Sequence, residues 1–76
     1  MDFYQKLDEM KRDGYSVPQM LICVHALYLD YEIDADEEDA LWSYVDPDDE
    51  VDQSEYEKVY EDWYWYSEDF QNPLTN

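Results

Sequence analysis

Apolar residues recur at helical spacing along most of this chain. Phe3, Leu7 and Met10, followed by Gly14, are separated by four, three and four positions, which predicts a first helix over about Asp2 to Asp13 with Gly14 as its stop. Asp2 with Lys6, and Asp8 with Arg12, stand four apart on it as opposite charges. Ser16 is the expected N-cap of a second helix that tolerates Pro18 in its first turn and runs to about Glu32. Met20, Leu21, Cys23, Val24, Leu27, Tyr28 and Tyr31 fall around most of its circumference, so this is the expected central, buried helix.

A short third helix is expected from about Asp36 to Val45. Its opening carboxylates suit the positive end of the helix dipole, Asp46-Pro47 stops it, and Leu41, Tyr44 and Val45 face the core. Ser54-Glu55-Tyr56-Glu57 reads as a capping box opening a fourth helix that continues to about Phe70. At 100° per residue, Tyr56, Val59, Tyr60, Trp63, Tyr66 and Phe70 form one stripe, while Tyr64 and Trp65 project oppositely, among Glu57, Glu61 and Glu68. The expected fold class is therefore all-α, a small bundle of about four helices around one buried helix.

Length and composition narrow the function classes. The 76 residues make one domain, 1–76, whose core is modest. Apolar residues at 45%, aromatic residues at 18%, one Gly and three Pro are too much core material and too few breakers for a disordered tail. The lone Cys23 lies in the most apolar stretch and fits a reducing compartment. The run Met20 to Leu29 is too short to span a bilayer, and the sequence starting Met-Asp-Phe-Tyr lacks a signal-peptide pattern, so a cytoplasmic location is expected.

Charge is the extreme feature. Asp and Glu number 22 against 4 Lys and Arg, a formal net charge of −18. Residues 1–29 carry four acids and three bases, a net of −1; residues 30–76 carry eighteen acids and only Lys58, a net of −17. Such a chain cannot neutralise phosphates, so direct nucleic-acid binding and anionic membrane surfaces are excluded. Duplex DNA carries about one charge per 1.7 Å, so 18 charges match roughly 30 Å of DNA, close to the expected diameter of a domain this size.

Residue-level chemistry points away from catalysis. His25 has no second histidine, there is no cysteine pair for zinc, and one glycine cannot build a phosphate loop. No catalytic residue, cofactor or metal is assigned. Asp46 to Glu57 places oxygen-bearing residues at positions 1, 3, 5, 7, 9 and 12 of an EF-hand-like loop, but Val51 stands where the turn requires Gly and Gln53 replaces the apolar eighth residue. A solvated, helix-capping connection is the expectation there.

The size, the charge, the acidic stretch Asp30 to Asp69 and its interleaved tyrosines and tryptophans resemble the small acidic phage proteins that act as DNA mimics, the anti-CRISPR and antirestriction class. No motif of a particular family is matched, and the resemblance carries over no binding residues. It implies occupation of a basic nucleic-acid groove on a bacterial defence or DNA-processing complex, a protein or ribonucleoprotein, inside the host cell. The chain's own candidates for a partner-binding surface are Asp34, Asp36, Glu37, Glu38 and Asp39 at the third helix, Asp48, Asp49, Glu50 and Asp52 in the connection, and Glu57, Glu61 and Glu68 on the fourth helix, with Tyr64 and Trp65 as exposed aromatics. Packing on the first helix, or a homodimer, is the other use of those two rings. The competing function is a small acidic regulatory or structural subunit, antitoxin-like or calcium-responsive, for a basic protein.

Overall fold

The computed structural model describes residues 2–75; Met1 and Asn76, the ends of the expected 1–76 domain, lie outside the described residues. Among these the fold is all-helical and without strands: α1 (Phe3–Arg12), α2 (Val17–Leu29), α3 (Ala35–Val45), α4 (Gln53–Val59) and a π-helical continuation of α4 over Tyr60–Trp65. α2 is the hub, touching α1, α3, α4 and the π-helix. Met20, Leu21, Ile22, Cys23, Val24, Ala26 and Leu27 along it are all buried, because its apolar residues surround the axis instead of forming a stripe. Leu7 and Met10 of α1, Ile33, Leu41 of α3 and Leu74 complete the core.

Each α-helix starts on a side-chain cap. Asp2, Ser16, Asp34 and Asp52 accept from the backbone N–H groups of Tyr4, Gln19, Glu37 and Ser54, and the Ser16 N–H donates to Gln19 Oε1 at 2.9 Å, closing a capping box. α4 therefore begins on Asp52, two residues before the expected cap Ser54. An aspartate can hold the first turn where Ser54 is already inside it.

Two helices end in the same way. After α1, Gly14 adopts φ +97°, its N–H reaches the Lys11 carbonyl, and the Tyr15 N–H reaches that of Met10. After α2, Tyr31 adopts φ +62°, with its N–H on the Tyr28 carbonyl and the Glu32 N–H on that of Leu27. Both are Schellman motifs, and the second ends α2 at Leu29, three residues short of the expected Glu32. Tyr31, expected on the buried circumference, is consequently 95% exposed, and Tyr28 is 39% exposed.

Tyr44 also departs from expectation. It was placed toward the core by α3 periodicity, yet it is 45% exposed. Its ring meets Tyr4 edge-on at 4.8 Å and its hydroxyl donates to Asp8 at 2.8 Å. A tyrosine at the α1–α3 seam keeps its polar end wet by this route, and the Asp8 carboxylate, expected opposite Arg12, receives that hydroxyl.

The segment after the helices, which periodicity leaves unassigned, is part of the core. Asn72 is buried; its Nδ2 donates to the Cys23 carbonyl at 2.9 Å and its Oδ1 accepts the Leu74 N–H at 3.0 Å. The Thr75 N–H and hydroxyl both close on the Asn72 carbonyl, so one amide hooks the chain end to the middle of α2 and seats Leu74. Asn72→Ala strips a partner from the buried Leu74 N–H and should cost about 1–3 kcal/mol in urea unfolding. Leu74→Ala, a core truncation, should cost about 2–5 kcal/mol.

Burial pushes the Cys23 thiol from 9.0 up to about 12, and burial, followed by the charges of Tyr60 and Glu38, pushes the Tyr56 hydroxyl from 10.0 up to about 12. The unfolded chain ionises first, so the stability these groups contribute is complete below about pH 9 and is lost as pH rises toward 12. The urea midpoint should therefore fall above about pH 9, and Cys23→Ala should move the onset of that fall to near pH 10, where Tyr56 begins to act.

Candidate interaction surface

The candidate surface is built from carboxylates and aromatic rings. Every Asp and Glu is exposed except Glu38 and Asp46, which are half-buried. The described residues span 28 × 28 × 25 Å, so the net charge of −18 is spread at about one per 1.6 Å of the long dimension, against about one per 1.7 Å for duplex DNA.

The sequence-derived residues divide by what their side chains touch. Asp36, Glu37 and Asp39 stand exposed on α3, and Asp48, Asp49 and Glu50 on the connection, with Asp49 at φ +52°. Asp34 and Asp52 are exposed but serve as the caps of α3 and α4. Glu38 leans back onto α2, its Oε2 2.9 Å from His25 Nδ1. Glu57 accepts from the Gln53 amide at 3.2 Å, and with Glu61 it flanks a groove of about 400 Å³ floored by His25, Tyr56 and Tyr60. Glu68 is exposed in the turn beyond the helix.

The EF-hand-like spacing is used for backbone closure. Both oxygens of Asp46, the first ligand position of such a loop, are engaged, accepting the N–H groups of Glu50 at 3.0 Å and Val51 at 3.2 Å. Asp52, at the seventh position, caps α4. Among the described residues no group of three or more His, Cys, Asp or Glu side chains is arranged to hold a metal ion.

The phase of the last helix differs from the 100° expectation because the backbone widens to π geometry at Tyr60 and ends at Trp65, with Tyr66 as its cap, five residues before Phe70. Residues past Tyr60 advance less per step. Tyr64, expected to project with the acids, is half-buried instead, its ring 5.1 Å from Tyr60 and 4.8 Å from Phe70. Tyr66, expected on the buried stripe, is 73% exposed. Trp63 keeps its inward place, 4.9 Å from Phe70 and 6.2 Å from Tyr15, and Trp65 is 66% exposed. Burial, with lesser contributions from Tyr60 and Asp30, raises the Tyr64 hydroxyl above its ordinary value.

Sequence reasoning also missed Tyr28, Leu29 and Tyr31 as surface groups. No Gly, Asn, Pro, Lys or Arg stands at the end of α2 to signal its stop, and the left-handed position falls on Tyr31.

The two tryptophans test the phase. Trp63→Ala removes a half-buried ring and should cost roughly 3 kcal/mol; Trp65→Ala should change stability by less than about 0.5 kcal/mol. Thermal melts of the two variants check this order.

Comparison of the chain with protein-family models, with characterised proteins and with solved structures returns no match.

Proposed function

We propose that this protein is a non-enzymatic inhibitor that mimics nucleic-acid charge, of the anti-CRISPR or antirestriction kind encoded by phages, and that it occupies a basic nucleic-acid groove of a bacterial defence or DNA-processing complex in the host cytoplasm. The observation that carries this reading is the density of exposed carboxylates, about that of a DNA duplex, on a body close to 28 Å across. Self-repulsion of this size opposes the compact state, so an array of this kind is costly to keep without a use.

The capped helices make the array rigid. Asp36, Glu37 and Asp39 on α3, Glu57 on α4 and Glu61 on the π-helix are fixed on short helices that pack on α2. A rigid anion array releases its own screening cations on meeting a basic surface, as DNA does, and loses little freedom on docking. No helix among the described residues is long and apolar enough to cross a membrane.

The test is capture at low salt from a bacterial lysate, repeated at high salt, followed by competition on the captured protein. The inhibitor should displace labelled duplex DNA or guide RNA from that protein, and its affinity should fall steeply as salt rises. Glu57→Lys with Glu61→Lys should weaken binding by roughly tenfold or more with little change in melting. A ternary complex in which inhibitor and nucleic acid bind without loss of affinity for either sinks the proposal.

A further inference from the structure

The turn that ends α2 combines three choices that each work against folding. Tyr31 holds the left-handed position where α1 uses Gly14, at φ +62° and 95% exposed, so the ring is presented to solvent at the expense of backbone strain. The last turn of α2 has no basic residue to meet the negative pole of the helix dipole. Asp30 and Glu32 stand at that pole as further negative charge.

One kind of ligand offsets all three, by neutralising charge at the helix end and by giving the exposed ring a contact. Beside the turn, between α2 and the start of α3, lies a groove of about 560 Å³ lined by Tyr28, Leu29, Tyr31, Ile33 and Ala35 together with Glu32, Asp34 and Glu37. Aromatic rings and carboxylates in one groove complement a cation, and a planar one uses them best: a guanidinium stacks on a tyrosine ring while its N–H fork bonds carboxylates. The ammonium of lysine is a hydrated point charge and gains less from the rings.

We infer that this corner is an anchor for an arginine side chain of the basic partner protein, which inserts over Tyr28 and Tyr31 and pairs with the groove's carboxylates. This deepens the proposed function and rests on it, since the acidic surface must face a basic protein. The aromatic contact belongs to the end of α2, where Tyr31 has no ring neighbour among the described residues and Tyr28 stacks on His25 at 6.2 Å, not to Tyr64, whose ring lies between Tyr60 and Phe70.

The experiment titrates the protein with an arginine homopeptide and a lysine homopeptide of equal length at matched salt, following amide and ring NMR shifts. The arginine peptide should bind several-fold more tightly and shift the Tyr28 and Tyr31 rings. Tyr31→Gly and Tyr31→Asn, which keep the backbone turn and every charge, should lose about threefold to thirtyfold in arginine-peptide affinity and abolish the preference, while Tyr31→Phe should retain it. Tyr31→Gly should also melt about 4–8 °C higher, as relief of the turn requires.

Equal affinity for the two peptides, or unchanged binding by Tyr31→Gly, overturns the anchor and leaves the charge-mimic reading standing. Failure of both peptides to bind even at low salt overturns the two together. A dimer in sedimentation that Tyr31→Gly dissolves would assign the corner to a second copy of this chain and overturn the arginine assignment.

Discussion

The structure depends on the burial of one helix. With 76 residues and 22 acids, the chain has apolar material for a single contiguous core, and it concentrates that material in α2. A helix that is apolar all round has no preferred outer face, so every other element must cover part of it. α1, α3, α4 and the π-helix do so, and Leu74 is drawn in by the Asn72 amide. This arrangement sends the carboxylates outward, because no second apolar layer exists in which to bury or pair them.

The carboxylates are not only passengers on that surface. Three of the four α-helices are capped by aspartate, and α3 adds Asp36, Glu37 and Glu38 in its first turn, where the dipole is positive. Part of the self-repulsion is thus offset locally by backbone N–H groups. The same accounting explains the Asp46 connection: a carboxylate that closes its own turn with two backbone N–H groups orders the chain between α3 and α4. Charge and fold are compatible here in part because several acids sit where the backbone is electropositive, although α2 and α3 both end on an aspartate with no basic residue in the last turn.

How much of this was legible in the sequence follows from which forces have a period. α1, the core face of α2 and the extent of α3 were readable to within a few residues, since apolar spacing, Ser16 and Gly14 all pointed the same way. The end of α2 was not, because the left-handed stop falls on a tyrosine, which local preference places elsewhere. The phase beyond Tyr60 was lost because a π turn has no signature in apolar spacing, and one widened turn exchanges the places of Tyr64 and Tyr66. The Asn72 hook was invisible for a third reason: it is a single side chain making one long-range and one local bond, with no periodicity to detect. Of the candidate surface, the exposed acids followed from composition, whereas which rings accompany them depended on those turns.

The comparison of Gly14 with Tyr31 isolates what the sequence gives up. Two helices in one small domain end in the same hydrogen-bond pattern, so the turn itself cannot account for the difference in residue. At Gly14 a Cβ would meet nothing within 4 Å, so glycine there answers only the demand of φ. At Tyr31 the same demand is ignored and a large side chain is held in solvent, against the acidic pole of the central helix. A domain with little stability to spare does not gain from that exchange as a monomer. Strain that local contacts leave uncompensated is balanced by contacts made elsewhere, and a groove lined by Glu32, Asp34 and Glu37 together with Tyr28 and Tyr31 defines their chemistry as cationic and planar.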